Sequence, residues 1–162
     1  MQLDVRTALV LRHPTESSVL LLRRSPTKKL FPNLITGIGG KVELTDGEGD
    51  DLVAAAWREF QEETKIPVAM VADVRLRLST IISRGDQQVL LLWLTGQLLD
   101  LPPDLGCTEG VLEFHPITQL PVDEMIPTAR QAIPFMLALS VNDPVVYNGC
   151  LDHSGRLITN KS

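Results

Sequence analysis

Aromatic residues make up only 4% of the 162-residue chain, cysteine occurs twice, and long apolar runs are missing. The longest such run, Val89 to Leu94, is about a third of a bilayer span. The amino terminus places Asp4 and Arg6 before any apolar stretch builds, so membrane insertion and export are both disfavoured. Cys107 and Cys150 lack the C-x-x-C spacing of a zinc site and form no disulfide framework. They read as small buried hydrophobes, reduced in a cytosolic compartment, and the expected location is cytoplasmic. Excess positive charge is also lacking. Fifteen Lys and Arg against twenty Asp and Glu leave a formal charge of -5, which repels a nucleic-acid polymer but not a small nucleotide whose phosphates are met by local cations.

The chain is long enough to bury roughly 70% of the surface that its unfolded form exposes, which suits one compact domain over residues 1–162 without disulfides or structural metal. Val5 to Leu11 and Val19 to Leu22 read as two strands around the turn-like His13-Pro14-Thr15-Glu16-Ser17. A basic stretch, Arg23 to Lys29, reads as a loop that could face phosphate. Next come the glycine-rich Gly37-Ile38-Gly39-Gly40-Lys41-Val42-Glu43 and an acidic stretch from Asp46 to Asp51. An amphipathic helix is predicted from near Asp50 to about Thr64, with Pro67 helping to stop it. Strands follow at Val71 to Ile82, Gln87 to Leu94 and Gly110 to His115, then a helix at Thr128 to Leu139 and a last strand at Val145 to Leu151. Strands interleaved with two helices predict an α/β layered fold with a mixed sheet.

On a helical wheel Glu59, Glu62 and Glu63 share an arc of roughly 100° beside the apolar face. Carboxylates so grouped repel by a few tenths of a kcal/mol per pair. Arg58 can pair with Glu62, yet one cation does not neutralise three anions. Hard divalent cations, Mg²⁺ or Mn²⁺, suit such an oxygen cluster and bridge it to substrate phosphates.

The order of parts, Gly39-Gly40-Lys41-Val42-Glu43, an acidic turn, then Arg58-Glu59-Phe60-Gln61-Glu62-Glu63 with Ile66 closing, resembles the Nudix box of the Nudix hydrolase family. The box covers about a sixth of the chain. Counting back from Arg58, its first glutamate falls on Asp50, and the stretch from Gly40 is about four residues longer than the family pattern, so Glu48 is the alternative. Lys65 replaces the late glycine. The resemblance implies a Nudix-type α/β/α sandwich with a mixed β-sheet. It also implies metal binding by Glu59, Glu62, Glu63 and the Gly40 carbonyl, with Arg58 orienting the carboxylates. A further carboxylate from a later loop often joins the metals or acts as general base in this family, Glu109 being the first choice and Glu113 the second.

Within the family, the Gly-Ile-Gly-Gly-Lys-Val-Glu form is most similar to MutT-type enzymes, which hydrolyse purine nucleoside triphosphates, including oxidised ones, to the monophosphate and pyrophosphate. The tail Asp143 to Gly149 is similar to the end of some bacterial members. Mammalian-type members carry Trp-Asn-Gly where this chain has Ile35-Thr36-Gly37, which removes a base-reading amide. Substrate binding is then expected from Arg23, Lys41, Thr36 and Asp123, with the base pocket near Ile35 and in the loop Pro121 to Pro127. The alternatives are an ADP-ribose or nucleotide-sugar pyrophosphatase and a non-catalytic nucleotide-binding module. A homodimer is left open.

Overall fold

The computed structural model describes residues 2–43 and 52–160. The acidic stretch with Glu48 and Asp50, and the predicted helix start at Asp50, lie outside the described residues.

Strand β1 (Gln2–Arg12) turns through residues 13–17 into β2 (Ser18–Arg24). The turn is organised by His13, whose Nδ1 accepts the backbone N–H groups of Thr15 (3.1 Å) and Glu16 (2.9 Å). After the two-residue β3 (Ile35–Thr36) comes helix α1 (Leu52–Glu63). Strands β4 (Val71–Arg84), β5 (Gln87–Leu98) and β6 (Gly110–Pro116) follow, then helix α2 (Pro127–Ala138) and strands β7 (Tyr147–Leu151) and β8 (Leu157–Thr159). The sheet runs β3-β2-β1-β5-β4-β7-β8, and β6 pairs β2. It is mixed: β1 is parallel to β5 and β4 to β7, and the other ladders are antiparallel.

Successive side chains of a strand point to opposite faces, and the leucine-rich strands divide accordingly. Ala8, Val10, Val19 and Leu21 pack with Ala129, Ile133 and Met136 of α2. Leu9, Leu11, Leu20 and Leu22 pack with Ala56 and Phe60 of α1. Both sheet faces are thus covered by a helix, which is the predicted α/β/α sandwich. No helix among the described residues is long and apolar enough to cross a membrane.

Several boundaries differ from the sequence reading. Arg23 and Arg24 belong to β2, not to a loop, because β2 pairs with β6 down to Arg24↔Gly110. The last predicted strand starts at Tyr147, where it meets Leu78 of β4. Both cysteines are free, but neither is buried. Cys150 is exposed on the two-ladder ribbon at the sheet edge, and Cys107 is half-buried in the loop before β6.

The feature that positions the site is the divergence of β1 from β2. The two pair only at Leu11↔Leu20 and Arg12↔Val19. Into the gap beside the first half of β1 runs the glycine-rich segment. Leu9 N donates to Ile38 O (2.7 Å), Thr7 N to Gly40 O (2.9 Å) and Val42 N to Val5 O (2.8 Å). A Cβ at Gly39 would collide with the Thr7 carbonyl, so this close approach of backbones requires glycine there.

Candidate active site

Helix α1 buries Phe60, Ala55 and Ala56 against the sheet, and this rotation sends Glu59 and Glu63 toward the glycine-rich segment. The Glu59 side chain is nearly buried, whereas that of Glu62 is mostly exposed. Arg58 reaches Glu59 Oε1 at 2.8 Å, both Glu62 oxygens at 3.2 Å and the Lys41 carbonyl at 3.3 Å. It therefore ties helix, carboxylates and loop into one unit. Burial works against the Arg58 cation, but its hydrogen bonds and charge interactions with Glu62 and Glu59 outweigh this and hold its pKa above the usual arginine value.

Glu63 has no such partner: its Oε2 is buried without a hydrogen bond. Burial, then the charges of Glu109 and Glu59, push its pKa up to about 8, with Lys28 pulling the other way. A Cβ on Gly40 would occupy the place of Glu59 Oε2 and would crowd Glu63 Oε1. The missing side chain is what lets both carboxylates approach the loop. The Gly40 carbonyl, expected as a metal ligand, accepts from Thr7 N and keeps a second lone pair.

The loop before β6 is pinned to the end of α1. Thr108 N donates to Glu63 O (2.9 Å), Lys65 N to Gly106 O (3.1 Å), and Ser25 N to Glu109 O (2.9 Å). Lys65, standing where the family motif has glycine, is not among the residues with positive φ. The helix ends instead on Thr64, whose Oγ1 donates to Phe60 O (2.9 Å) and accepts from Ile66 N (3.3 Å). Glu109 is brought within charge-interaction range of Glu63 and forms an ion pair with Lys28. Glu113 faces elsewhere. It takes a forked pair from Arg23 (2.7 and 3.2 Å) and a bond from His115 (2.9 Å).

A cleft opens on the other side of Gly40, with Gly39, Thr36, Ile126 and Thr128 in its wall. Its charged lining consists of Arg6, Arg24 and Arg84, with no carboxylate among the lining residues. Burial, together with Arg6 and Arg84, lowers the Arg24 pKa, while Glu109 and Glu63 act to raise it. Gly40 thus stands between this arginine-lined cleft and the carboxylates of Glu59 and Glu63, with Arg24 in charge-interaction range of Glu63 and Glu109. At its mouth Arg84 lies over the Phe31 ring, 5.6 Å from the centroid. Phe31 has a φ of +52°, a left-handed backbone costly for an aromatic residue.

Of the residues expected to bind substrate, Thr36 lines this cleft. Arg23 does not: it is held by Glu113, by Glu124 (2.8 Å) and by the Asn33 carbonyl (3.1 Å). Lys41 is exposed and lies opposite Arg6. Asp123 is exposed in the single-turn helix Val122–Glu124, and the loop instead contributes Ile126. Arg6, Arg84 and Phe31 escaped the sequence reading, and Arg24 entered it only as part of the basic stretch. They come from separate strands and one loop, so no local spacing joins them.

As the side chains stand, no group of three acidic, imidazole or thiol side chains among the described residues is gathered to hold a metal. Arg58 and Lys28 hold three of the carboxylates. The donor set nevertheless fits a hard divalent cation. It offers oxygen ligands only, one of them a buried carboxylate oxygen lacking any donor, beside a backbone carbonyl that glycine leaves uncovered.

The chain belongs to the NUDIX domain family, whose profile matches residues 3–136. A curated relative, the m7GpppN-mRNA hydrolase NUDT17 of Xenopus laevis, is 39% identical over 87 residues. That match takes in 51% of this chain and 28% of the relative, so the chain spans less than a third of that protein's length. Among solved structures, a NUDIX hydrolase from Nitrosomonas europaea superposes with a TM-score of 0.69 at 19% identity, over 93% of this chain and 79% of that one. A MutT protein from Bacillus halodurans gives 0.62 at 17% identity, over 98% and 99%. These likenesses establish the fold.

Proposed function

We propose that the chain is a single-domain Nudix hydrolase that cleaves a phosphoric anhydride within a nucleoside triphosphate, with a purine nucleotide as first choice, releasing the monophosphate and pyrophosphate. The observation that supports this reading is that Gly40 lies against Glu59 and Glu63 on one side and lines, on the other, a cleft whose charged groups are Arg6, paired with Asp4 (2.9 Å), Arg24 and Arg84. A chain of phosphates is the ligand that uses both sides.

Glu59, Glu62, Glu63 and the Gly40 carbonyl are the groups to hold Mg²⁺ or Mn²⁺. Such an ion, when bound, polarises a phosphoryl oxygen and lowers the pKa of water. Arg58 holds Glu59 and Glu62 and ties both to the loop through its own bond to the Lys41 carbonyl. Glu109 is the proposed acceptor of the attacking water's proton; it would have to leave Lys28 to act, and Lys28 would then be available to a phosphate oxygen. The arginines bind the rest of the chain, and Thr36, Ile126 and Thr128 line the space for the nucleoside.

A second reading is hydrolysis of a dinucleoside polyphosphate such as a cap structure. It is favoured by a second groove beyond the Phe31 and Arg84 wall, lined by Ile81, Thr128, Cys150 and His153, where a second nucleoside has room. The partial match to NUDT17 agrees with it. The test is kcat/KM for oxidised dGTP, ordinary dNTPs, a cap dinucleotide and ADP-ribose on one preparation, with products identified. The triphosphate reading expects a (d)NTP to lead. A lead of about tenfold for the cap compound, roughly 1.4 kcal/mol of transition-state binding, transfers the assignment to the second reading, and the same lead for ADP-ribose overturns both.

A further inference from the structure

A cavity remote from this cleft lies at the other end of the same sheet face, under the carboxyl end of α2. Arg6 and Arg12 point to one face of β1, and six residues of strand separate them by about 20 Å. The cavity is lined by Arg12, by Arg75 and Arg77 of β4, by Thr95 of β5 and by Asn142, with Asp73 at the rim.

Two of these arginines have structural tasks. Arg77 donates to Asp143 O and Ser140 O, both at 2.9 Å, and Arg75 to Val141 O at 3.3 Å. Guanidinium groups suit the carbonyl-rich end of a helix, and these bonds fasten the turn after α2 onto β4. Two donors are left over. Arg77 is only 3% exposed, yet its Nε is buried and has no hydrogen-bond partner. The Arg12 guanidinium has no hydrogen bond or ion pair among the described residues. Burial and the charge of Arg77 lower its pKa.

Two acids stand near this pair among the described residues, Asp73 and Asp143. Asp73 is exposed, sits in a bulge of β4 with a φ of +53°, and forms no ion pair among the described residues. The Asp143 carboxylate accepts Tyr147 Oη and Val145 N, both at 2.9 Å. The Arg77 Nε–H and the Arg12 guanidinium nevertheless keep donors to spare, and a buried donor without an acceptor costs stability until one joins it.

We propose that this cavity is a second anion site that takes a phosphate-class oxyanion, with Arg12 and the Arg77 Nε–H as its charged donors and Thr95 and Asn142 as neutral ones. The source is a free ion or the phosphate of a nucleotide, and the site does not depend on the reaction proposed above.

The experiment titrates the full chain, in chelator, with inorganic phosphate, pyrophosphate and AMP, following the backbone amides of Thr95, Gly96 and Asn142 by NMR. The amides of Gly37 and Gly39 report the cleft in the same spectra. Saturable shifts at the cavity amides are expected, weakened about tenfold or more by Arg12→Gln and largely kept by Arg12→Lys, with cleft responses unchanged in both. Saturation by inorganic phosphate or pyrophosphate supports a free-ion site, and a requirement for AMP supports a nucleotide tail. No saturable shift at the cavity amides, or a shift undiminished in Arg12→Gln, overturns the proposal. Arg12→Gln is chosen over a change at Arg77, whose bonds to the turn after α2 tie it to folding, and a thermal melt confirms that the variant is folded.

Discussion

Glu63 is a carboxylate folded into a place with no donor for one of its oxygens, an arrangement that costs the metal-free protein stability. Its folded pKa of about 8 lies above the ordinary 4.5. The neutral acid therefore favours the metal-free fold fully below about pH 4.5, and this contribution is lost as pH rises to about 8. Glu63→Gln cannot ionise. In chelator, the melting temperature of the wild type relative to this variant is expected to fall across that interval, and a difference flat with pH contradicts the assignment. On the proposed metal assignment, the same variant with metal present is expected to lose at least about 100-fold in kcat. At the cleft mouth, Arg84 lies over Phe31 and forms no ion pair with a carboxylate among the described residues. If it binds phosphates equally in ground and transition states, Arg84→Ala raises KM about fivefold or more and leaves kcat within about twofold. Steady-state kinetics separate the two parameters, and a fall in kcat alone would show that Arg84 acts in the transition state.

At the scale of elements, β6 and the loop before it separate two acids that the sequence left as rivals. Glu109 is presented to Glu63, and Glu113 is spent on Arg23 and His115. Glu113→Gln is expected to cost about 1–2 kcal/mol in denaturant unfolding with little change in kcat, and Glu109→Gln the reverse. The Arg23 bond, then the contact with His115, lower the Glu113 pKa. The stability it contributes is therefore present above the ordinary carboxylate value and fades as pH falls through the lowered one. Helix α1 was legible from its amphipathic period, helix α2 from a mostly apolar stretch, and strands β1, β2, β4, β5 and β6 from apolar, β-branched or leucine-rich runs bounded by turn residues. β3 and β8, of two and three residues, carry no period and exist through their partners. β5 continues past Leu94 because Gly96, a weak strand former, is held opposite Leu11 of β1. The acidic half of the site was legible as a motif on one helix. The basic half was not, since Arg6, Arg24 and Arg84 meet only when β1, β2 and the β4 end are assembled.

For the whole molecule, a net charge of -5 hides a segregated distribution. The cleft is a cationic pocket in an acidic protein, and beside it, across Gly40, a buried oxygen of Glu63 has no donor. Hydrolysis is accordingly expected only with a divalent cation: excess chelator abolishes it, and Mg²⁺ or Mn²⁺ restores it. Full activity in excess chelator would falsify the metal assignment. Binding of the cation to the folded form also raises the melting temperature by mass action, which calorimetry with and without Mg²⁺ measures without any substrate.

The parallel pairing of β1 with β5 has a consequence for how the protein is made. The ladder runs from Gln2↔Gln87 to Arg12↔Gln97, so the strand that carries the glycine-rich segment waits for a partner synthesised more than eighty residues later. A nascent chain that has emerged only through Glu63 already contains Gly40 and the helix carboxylates, but the surface on which they are assembled does not yet exist. Closure of such long loops is slow. Nascent chains arrested after residue 70 are therefore expected to remain open to protease at the glycine-rich segment, and chains arrested with Leu98 clear of the ribosome to be protected there.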